Sequence, residues 1–350
     1  MTPASPQMTT VHSIQFLRFV AAALVAAYHA FHFVDLNVIA MGARLMHFAA
    51  AGASGVHIFF VISGFIMVWT SEGKFGKAAS IGGFARRRFI RIYPIYWALA
   101  AINIVIAAAF HLGFPQSVSD AVGATLLAPG HSSKLIFVGW PLTFELFFYG
   151  VFAVLLLLPK RLSVIALSVL FTSLAAIGVL FHPAHPTLHV ATNTLLLEFV
   201  MGAWIAVIAR SDIPLPRWGP PAMAAFGIAG FIGAAIIGPA ALPTVISYGV
   251  PSALLICGMV LMEKQGRLSK TVKRFTPLGD SSYSLYLVHA MILPPATMLA
   301  AGLFGATYWA AFALAIVLTL FCIVFAHGVY LWLERPLIKT VRNFITPRKA

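Results

Sequence analysis

Arg18 and His29 lie eleven residues apart within SIQFLRFVAAALVAAYHAFHFV, the first long apolar run of the chain. Charge at bilayer depth is costly, so an arginine and a histidine inside a membrane span mark a functional site by default. At about 100° per helical residue, eleven steps return to within about 20° of the starting direction, and the two side chains share one face about 16 Å apart. Gln15 and His32 fall near the same stripe. A helix carrying such a polar seam needs a protein interior to face, so the rest of the chain has to build a bundle around it.

The composition fits that demand. The chain is 61% hydrophobic and 9% charged, with a mean hydropathy of +0.94, far from a soluble domain. Apolar runs of span length fall at 14–34, 54–71, 92–112, 141–158, 162–181, 191–209, 221–242, 245–262, 282–303 and 307–333. The expected fold is therefore all-α: a polytopic integral membrane protein of about ten transmembrane helices. One transmembrane domain is expected over 14–333, with short tails at 1–13 and 334–350. The longest loop on the side opposite the termini, about 113–140, is expected to hold a short apolar element near Ala121–Ala128 and to cap the mouth of the bundle.

A net charge of +14 on a chain without a soluble domain argues against nucleic acid as partner. The basic residues fall in alternate loops instead: Lys74, Lys77, Arg86, Arg87, Arg88 and Arg91; Lys160 and Arg161; Arg210 and Arg217; Lys264, Arg267, Lys270, Lys273 and Arg274; Arg335, Lys339, Arg342, Arg348 and Lys349. With Arg18 these make 21 of the 23 basic residues, leaving Arg44 and Lys134 opposite. The positive-inside rule then puts both termini in the cytoplasm, with an even number of spans. No cleavable signal is expected, because the N-terminal 13 residues lack a basic n-region. Cys257 and Cys322 both fall in predicted spans, so no disulfide framework is expected. The histidines of HPAHPTLH have no acid or cysteine nearby, so no metal site is expected there.

Counting rise along each span sorts the polar residues by depth. His29 falls about 22 Å above the cytoplasmic start of the first span and Glu145 about 6 Å below the outer surface of the fourth, so the two are expected in one outer layer with His57, Asn193 and Glu198. Arg18, Arg88, Arg91, Asp280, Ser281 and Tyr283, and deeper Tyr286 and His289, form the cytoplasmic layer. An imidazole can take a hydroxyl proton during acyl transfer, and a carboxylate such as Glu145 can orient that ring. Arg88 and Arg91, three residues apart, point the same way and suit phosphate groups. A phosphate-bearing acyl donor docked there, with a long flexible arm reaching His29, describes a coenzyme A thioester. The plainer readings stand beside these: Arg86 and Arg87 as a membrane anchor, Arg91 as anchor or ligand, His57 as a solvated or satisfied histidine, and Glu198 as a partner for another helix.

Six blocks carry a family resemblance. IQFLRFVAAALVAAYHA resembles the first helix of the membrane acyltransferase 3 family, whose arginine and histidine, ten residues between them, match Arg18 and His29. GVHIFFVISGFIM resembles the second helix, and FARRRFIRIYPIYW the entry to the third, with Arg88 and Arg91 at the paired basic positions. WPLTFELFFYG resembles the family's Trp–Ser/Thr–Leu–x–x–Glu–x–x–Phe–Tyr block; a proline follows Trp140, and Thr143, Glu145 and Tyr149 are the matching positions. LGDSSYSLYLVHA and YLWLERPL resemble the ninth-span block and the closing Glu-Arg-Pro. Through FELFFYG and LLLEFVMGAWIA the chain is most similar to the exopolysaccharide-production O-acetyltransferases of Gram-negative bacteria, which lack a fused extracytoplasmic SGNH domain.

The resemblance implies a multi-pass protein of the bacterial inner membrane. Its activity would be O-acylation, most commonly O-acetylation, of a glycan or lipid-linked oligosaccharide from cytoplasmic acetyl-CoA or another acyl-CoA, within a polysaccharide-synthesis setting. By that analogy His29 and Glu145 are catalytic, and Arg18, Arg88 and Arg91 bind the donor; Thr143, Tyr149, Glu198, Tyr286 and His289 support them. Acyl-CoA is a co-substrate, and no resident cofactor or metal is implied. Either the hydroxyl attacks the thioester directly with His29 as base, or an acyl-histidine carries the group. The rival class is a transporter or flippase of lipid-linked glycans with a His29–Glu145 proton relay, whose marks would be inverted repeats and paired broken helices. A scaffold in a polysaccharide-synthesis complex is a third, with no reason to hold Arg18 and His29 in lipid.

Overall fold

The computed structural model describes residues 11–39, 50–112, 115, 117–238, 241–301 and 307–345. Its helices are α1 (His12–Val34), α2 (Ser54–Thr70), α3 (Ala79–Ala109), α4 (Val118–Thr125), α5 (Trp140–Leu155), α6 (Lys160–Phe181), α7 (Leu196–Arg210), α8 (Gly219–Ile237), α9 (Val250–Lys264), α10 (Ser282–Ala301), α11 (Tyr308–Val329) and α12 (Arg335–Ile345). No strand occurs among the described residues. Among the described residues, nine helical stretches are long and apolar enough to cross a membrane, and α2, at 17 residues, is a shorter apolar helix beside them. The chain is an all-α polytopic membrane protein.

Two expected boundaries move. The third span starts at Ala79, because the basic run FARRRFIRIY continues as helix below the apolar stretch and brings Arg88 and Arg91 onto a fixed backbone. The last span runs on through a π-helical turn, Tyr330–Glu334, into α12, so residues 334–345, expected in a tail, belong to the same helical run. Of the expected N-terminal tail, His12 and Ser13 lie in α1; residues 1–10 and 346–350, and the expected outer-loop residue Arg44, lie outside the described residues.

α1 runs through the centre, packed on α2, α10, α11 and the Thr276–Gly279 turn. Its first N–H groups have no side-chain cap of their own. Instead Glu263 of α9 accepts from the backbone N–H of His12 and of Ser13, both at 2.8 Å, and from Ser13 Oγ at 2.6 Å. A carboxylate at a helix N-terminus also meets the favourable end of the helix dipole. α2 and α7 approach so closely that a Cβ on Gly64 would collide with the Phe199 carbonyl oxygen, and one on Gly202 with that of Val61. Small residues allow such backbone proximity where helices pack without a hydrophobic driving force.

The basic loops gather at one end of the bundle. Glu72 pairs with Lys160 at 2.7 Å and with Arg210 at 3.4 Å, Lys264 donates to the Ser211 carbonyl, and Arg267 to that of Arg217. The loop at the opposite end does not cap the mouth as expected. It descends along α3: Asn103 Nδ2 donates to the Leu135 carbonyl at 2.6 Å, Trp97 Nε1 to that of Thr125 at 3.0 Å, Tyr96 Oη to Ala124 at 2.8 Å and Tyr93 Oη to Leu126 at 3.1 Å. Trp97 and Tyr93 lie about 18 and 24 Å from the far end of α3 at 1.5 Å per residue, so the segment is re-entrant. Irregular backbone at membrane depth is tolerated only where protein satisfies its polar groups, and α3 does so here. Thr143 Oγ1 adds a bond to the Leu127 carbonyl at 2.9 Å, while Val118, Val122 and Leu126 stay exposed as apolar surface for lipid.

Loss of the cap on α1 tests this packing. Glu263→Ala removes three hydrogen bonds to a carboxylate, each contributing roughly 1.5–3 kcal/mol. The expected outcome is a loss of about 3 kcal/mol or more, read as a lowered thermal midpoint in detergent relative to the parent protein.

Candidate active site

The site is built from the basic end upward. α1 supplies Arg18, whose Nη1 donates to Gln15 Oε1 at 2.8 Å, while Gln15 Nε2 reaches Asp280 Oδ1 at 2.7 Å. α3 supplies Arg88 and Arg91, one turn apart. The Arg88 guanidinium lies 5.6 Å from the centre of the Tyr149 ring and 5.7 Å from that of Phe84. Arg91 lies 5.4 Å over Tyr283 and pairs through Nη1 with Glu334 Oε1 at 2.8 Å. Glu334 is fully buried, and its second oxygen accepts from Ser284 Oγ at 2.6 Å. The π-helical turn that carries Glu334 inserts an extra residue into the helical register, a local change of pitch common at functional sites.

α5 contributes Glu145 and Tyr149, four residues apart and hence on one face. Glu145 Oε1 accepts from Ser63 Oγ of α2 at 2.8 Å and from Tyr149 Oη. These groups share a cavity of about 430 Å³ with Arg18, Arg88 and Arg91. Arg87 and Arg342, both exposed, stand at its mouth, and Phe59, Phe60, Leu142 and Tyr286 line its apolar upper part. Two buried guanidinium nitrogens, Arg88 Nε and Arg91 Nη2, have no partner. Unpaired donors beside an open volume are what an anionic group needs.

Above the cavity sits a pair of histidines. His29 Nδ1 lies 3.0 Å from Nε2 of His289 on α10, and the rings are near parallel with centroids 5.1 Å apart. His289 is fully buried, and its Nδ1 donates to the Leu285 carbonyl at 2.9 Å. Phe137 packs edge-on against His29 at 5.0 Å. Tyr286, which lines the cavity, packs against His289 at 5.9 Å and donates to the Val138 carbonyl at 2.6 Å.

This geometry corrects the expected layers. Glu145 does not orient His29; its hydrogen bonds go to Ser63 and Tyr149. The reason is helical rise: His29 is level with Phe137, where the fourth span begins as a 3-10 turn, and eight residues on, Glu145 lies about 12 Å nearer the basic end. His289, expected in the cytoplasmic layer, is instead the partner of His29. Glu198 and His57 do meet, at 2.5 Å, but both are buried and pair with each other across α7 and α2, the helix-partner reading. Arg87, expected as a mere anchor, lines the cavity mouth. Ser63 and Glu334 were not singled out from sequence. Nothing local marks Ser63, and Glu334 had been placed in a tail although it heads the Glu-Arg-Pro block.

A profile of the acyltransferase domain family matches residues 11–328. The chain belongs to the acyltransferase 3 family. The exopolysaccharide production protein ExoZ of Rhizobium meliloti (strain 1021) is 30% identical over 319 residues, covering 85% of this chain and 92% of that protein. The acyltransferase MdmB of Streptomyces mycarofaciens is 28% identical over 374 residues, covering 95% and 93%. No solved structure matches. The protein is thus a multi-pass membrane acyltransferase, and the transporter reading gives way.

Within this acyltransferase the two arginines of α3 differ in one respect that experiment can read. Arg91 neutralises a fully buried carboxylate, whereas Arg88 has no acidic partner among its described contacts. Arg91→Ala leaves Glu334 uncompensated and is expected to cost about 3–5 kcal/mol. Arg88→Ala is expected to leave the thermal midpoint in detergent near that of the parent, with Arg91→Lys falling between them because the charge survives without the planar fork.

Proposed function

We propose that this acyltransferase takes an acyl group, most simply acetyl, from acyl-CoA on the cytoplasmic side of a bacterial inner membrane and esterifies a hydroxyl of a glycan or lipid-linked oligosaccharide on the other side. The observation that carries this reading is a cavity running from an arginine-lined mouth to Tyr286, whose ring packs against His289, the partner of His29. The clustering of basic loops at the mouth end supports a cytoplasmic orientation for it. The phosphates of CoA would meet Arg87, Arg88, Arg91 and Arg342 where they line the cavity. The apolar upper part suits a pantetheine arm, with the thioester brought under the histidines. A glycan acceptor is supported by the name of ExoZ as an exopolysaccharide production protein; a polysaccharide-synthesis complex is the natural setting for it.

In the proposed reaction the acceptor hydroxyl gives its proton to His29 while its oxygen attacks the thioester carbonyl carbon. The tetrahedral intermediate collapses with cleavage of the C–S bond, and the CoA thiolate recovers the proton from His29. The products are an ester and CoA–SH, with atoms and charge balanced. Arg18, Arg88 and Arg91 hold the donor; Glu145, tied to Ser63 and Tyr149, shapes the donor cavity. Thr143 and Glu198 act through packing.

Purified protein in detergent, given acetyl-CoA with water in place of the acceptor hydroxyl and no ion gradient, is expected to release free thiol and acetate. His29→Ala is expected to lower turnover at least about 100-fold, the scale of general-base catalysis, at an unchanged thermal midpoint. Near-normal turnover by a folded His29→Ala protein overturns the reading. Glu145→Gln is expected to raise KM for acetyl-CoA, with a smaller effect on kcat. A loss confined to kcat would return Glu145 to the chemical step.

A further inference from the structure

His289 presents its ring to His29 in a way that decides which nitrogen of His29 reacts. The Leu285 carbonyl oxygen has only lone pairs to offer, so the His289 Nδ1 bonded to it at 2.9 Å must carry the ring hydrogen. His289 is fully buried, and its hydrogen-bond partners are Leu285 and His29, with no carboxylate among them. An imidazolium buried without a counter-ion is expensive, so the ring is neutral. A neutral imidazole carries one N–H, which leaves His289 Nε2 as a bare acceptor. His29 Nδ1, 3.0 Å away, must then be the N–H that donates to it. His29 Nε2 is therefore the nitrogen left with a free lone pair.

We propose that His289 is the positioning residue of the acyl-transfer step: it holds His29 as the Nδ1–H tautomer and keeps its ring turned so that Nε2 takes the proton of the acceptor hydroxyl. This rests on the reading of His29 as the base. The other groups around His29 do not compete for the role. Tyr28 packs edge-on against it and stacks with exposed His32. Phe137 has no polar atom to offer, and the Tyr286 hydroxyl is spent on the Val138 carbonyl. The arrangement does the orienting work of the aspartate in a Ser-His-Asp triad with a neutral acceptor, so the buried layer gains no net negative charge. When Nε2 has taken the proton, the Nδ1–H bond to a neutral acceptor strengthens and spreads the positive charge over two rings.

The geometry separates variants of similar size. In glutamine the side-chain oxygen reaches about as far as Nε2 of histidine, so His289→Gln can still accept from His29 Nδ1. In asparagine the amide ends near Nδ1, so His289→Asn keeps a polar group toward Leu285 but cannot reach His29. His289→Leu fills the space with no acceptor. Thiol release from acetyl-CoA is expected to retain a substantial fraction of kcat in His289→Gln. His289→Asn and His289→Leu are expected to lose about 100-fold in kcat, with KM for acetyl-CoA within about two-fold of the parent in all three. ¹⁵N spectra of histidine-labelled protein in bilayers, assigned with His29→Ala, are expected to show His29 protonated at Nδ1 in the parent. Equal loss in all three variants, or loss through KM alone, overturns the proposal, as does a His29 signal protonated at Nε2. Full activity of His29→Ala would instead sink the reading of His29 as base, so the two failures are told apart.

Discussion

A polar group left alone at lipid depth is costly, and the bundle is organised around that constraint. The four glutamates that lie within helices, Glu145, Glu198, Glu263 and Glu334, are each held by a side chain or backbone of another helix. Such pairs bring little net stability, since two desolvated ions roughly offset their own attraction, but breaking one is expensive. Their effect is to fix register. Glu263 sets the height of α1, Glu198 ties α7 to α2 through His57, and Glu334 holds α3 against the last helix through Arg91. With those heights set, Arg18 and His29 are fixed at two depths of one rigid helix.

The two depths then divide the chemistry by charge. At the basic end, cations outnumber carboxylates and two guanidinium nitrogens remain unpaired, which favours an anionic ligand. At the other depth the reactive pair is neutral, two imidazoles linked by one hydrogen bond. A carboxylate beside His29 would demand a counter-charge there, whereas Glu145 shares its cavity with Arg18, Arg88 and Arg91. In the proposed reaction, charge would stand where a donor's phosphates arrive and neutral bases where a hydroxyl loses its proton.

Much of this was legible in the sequence because it is written in local pattern. Span length, hydrophobic content and the alternation of basic loops gave the all-α polytopic fold, and an eleven-residue spacing placed Arg18 and His29 on one face. What depth counting missed was set by features with no local signature. The re-entrant segment looked like an outer cap, since nothing in residues 117–139 announces that α3 will satisfy its carbonyls. Counting from the apolar run also put Glu145 too high, because the fourth span begins with a turn at Phe137 that already reaches the level of His29. His289 meets His29 although its helix begins where expected, at Ser282. The Glu334–Arg91 pair joins residues 243 apart, a contact that periodicity cannot supply.

The re-entrant segment also explains how a site inside a membrane protein keeps lipid out. It lies along α3 between its apolar, exposed residues Val118, Val122 and Leu126 and the buried Leu127, Ile136 and Val138. Phe137 from its end touches His29, and its Val138 carbonyl holds Tyr286 over the cavity. A straight transmembrane helix in that place would present side chains but no free carbonyls, because its own ladder consumes them. Irregular backbone leaves carbonyls for Tyr93, Tyr96, Trp97, Asn103, Thr143 and Tyr286 to bind. The same bonds that make the segment tolerable in a bilayer thereby fix one wall of the site, and Tyr286, held by one of them, stands between the donor cavity and the histidine pair.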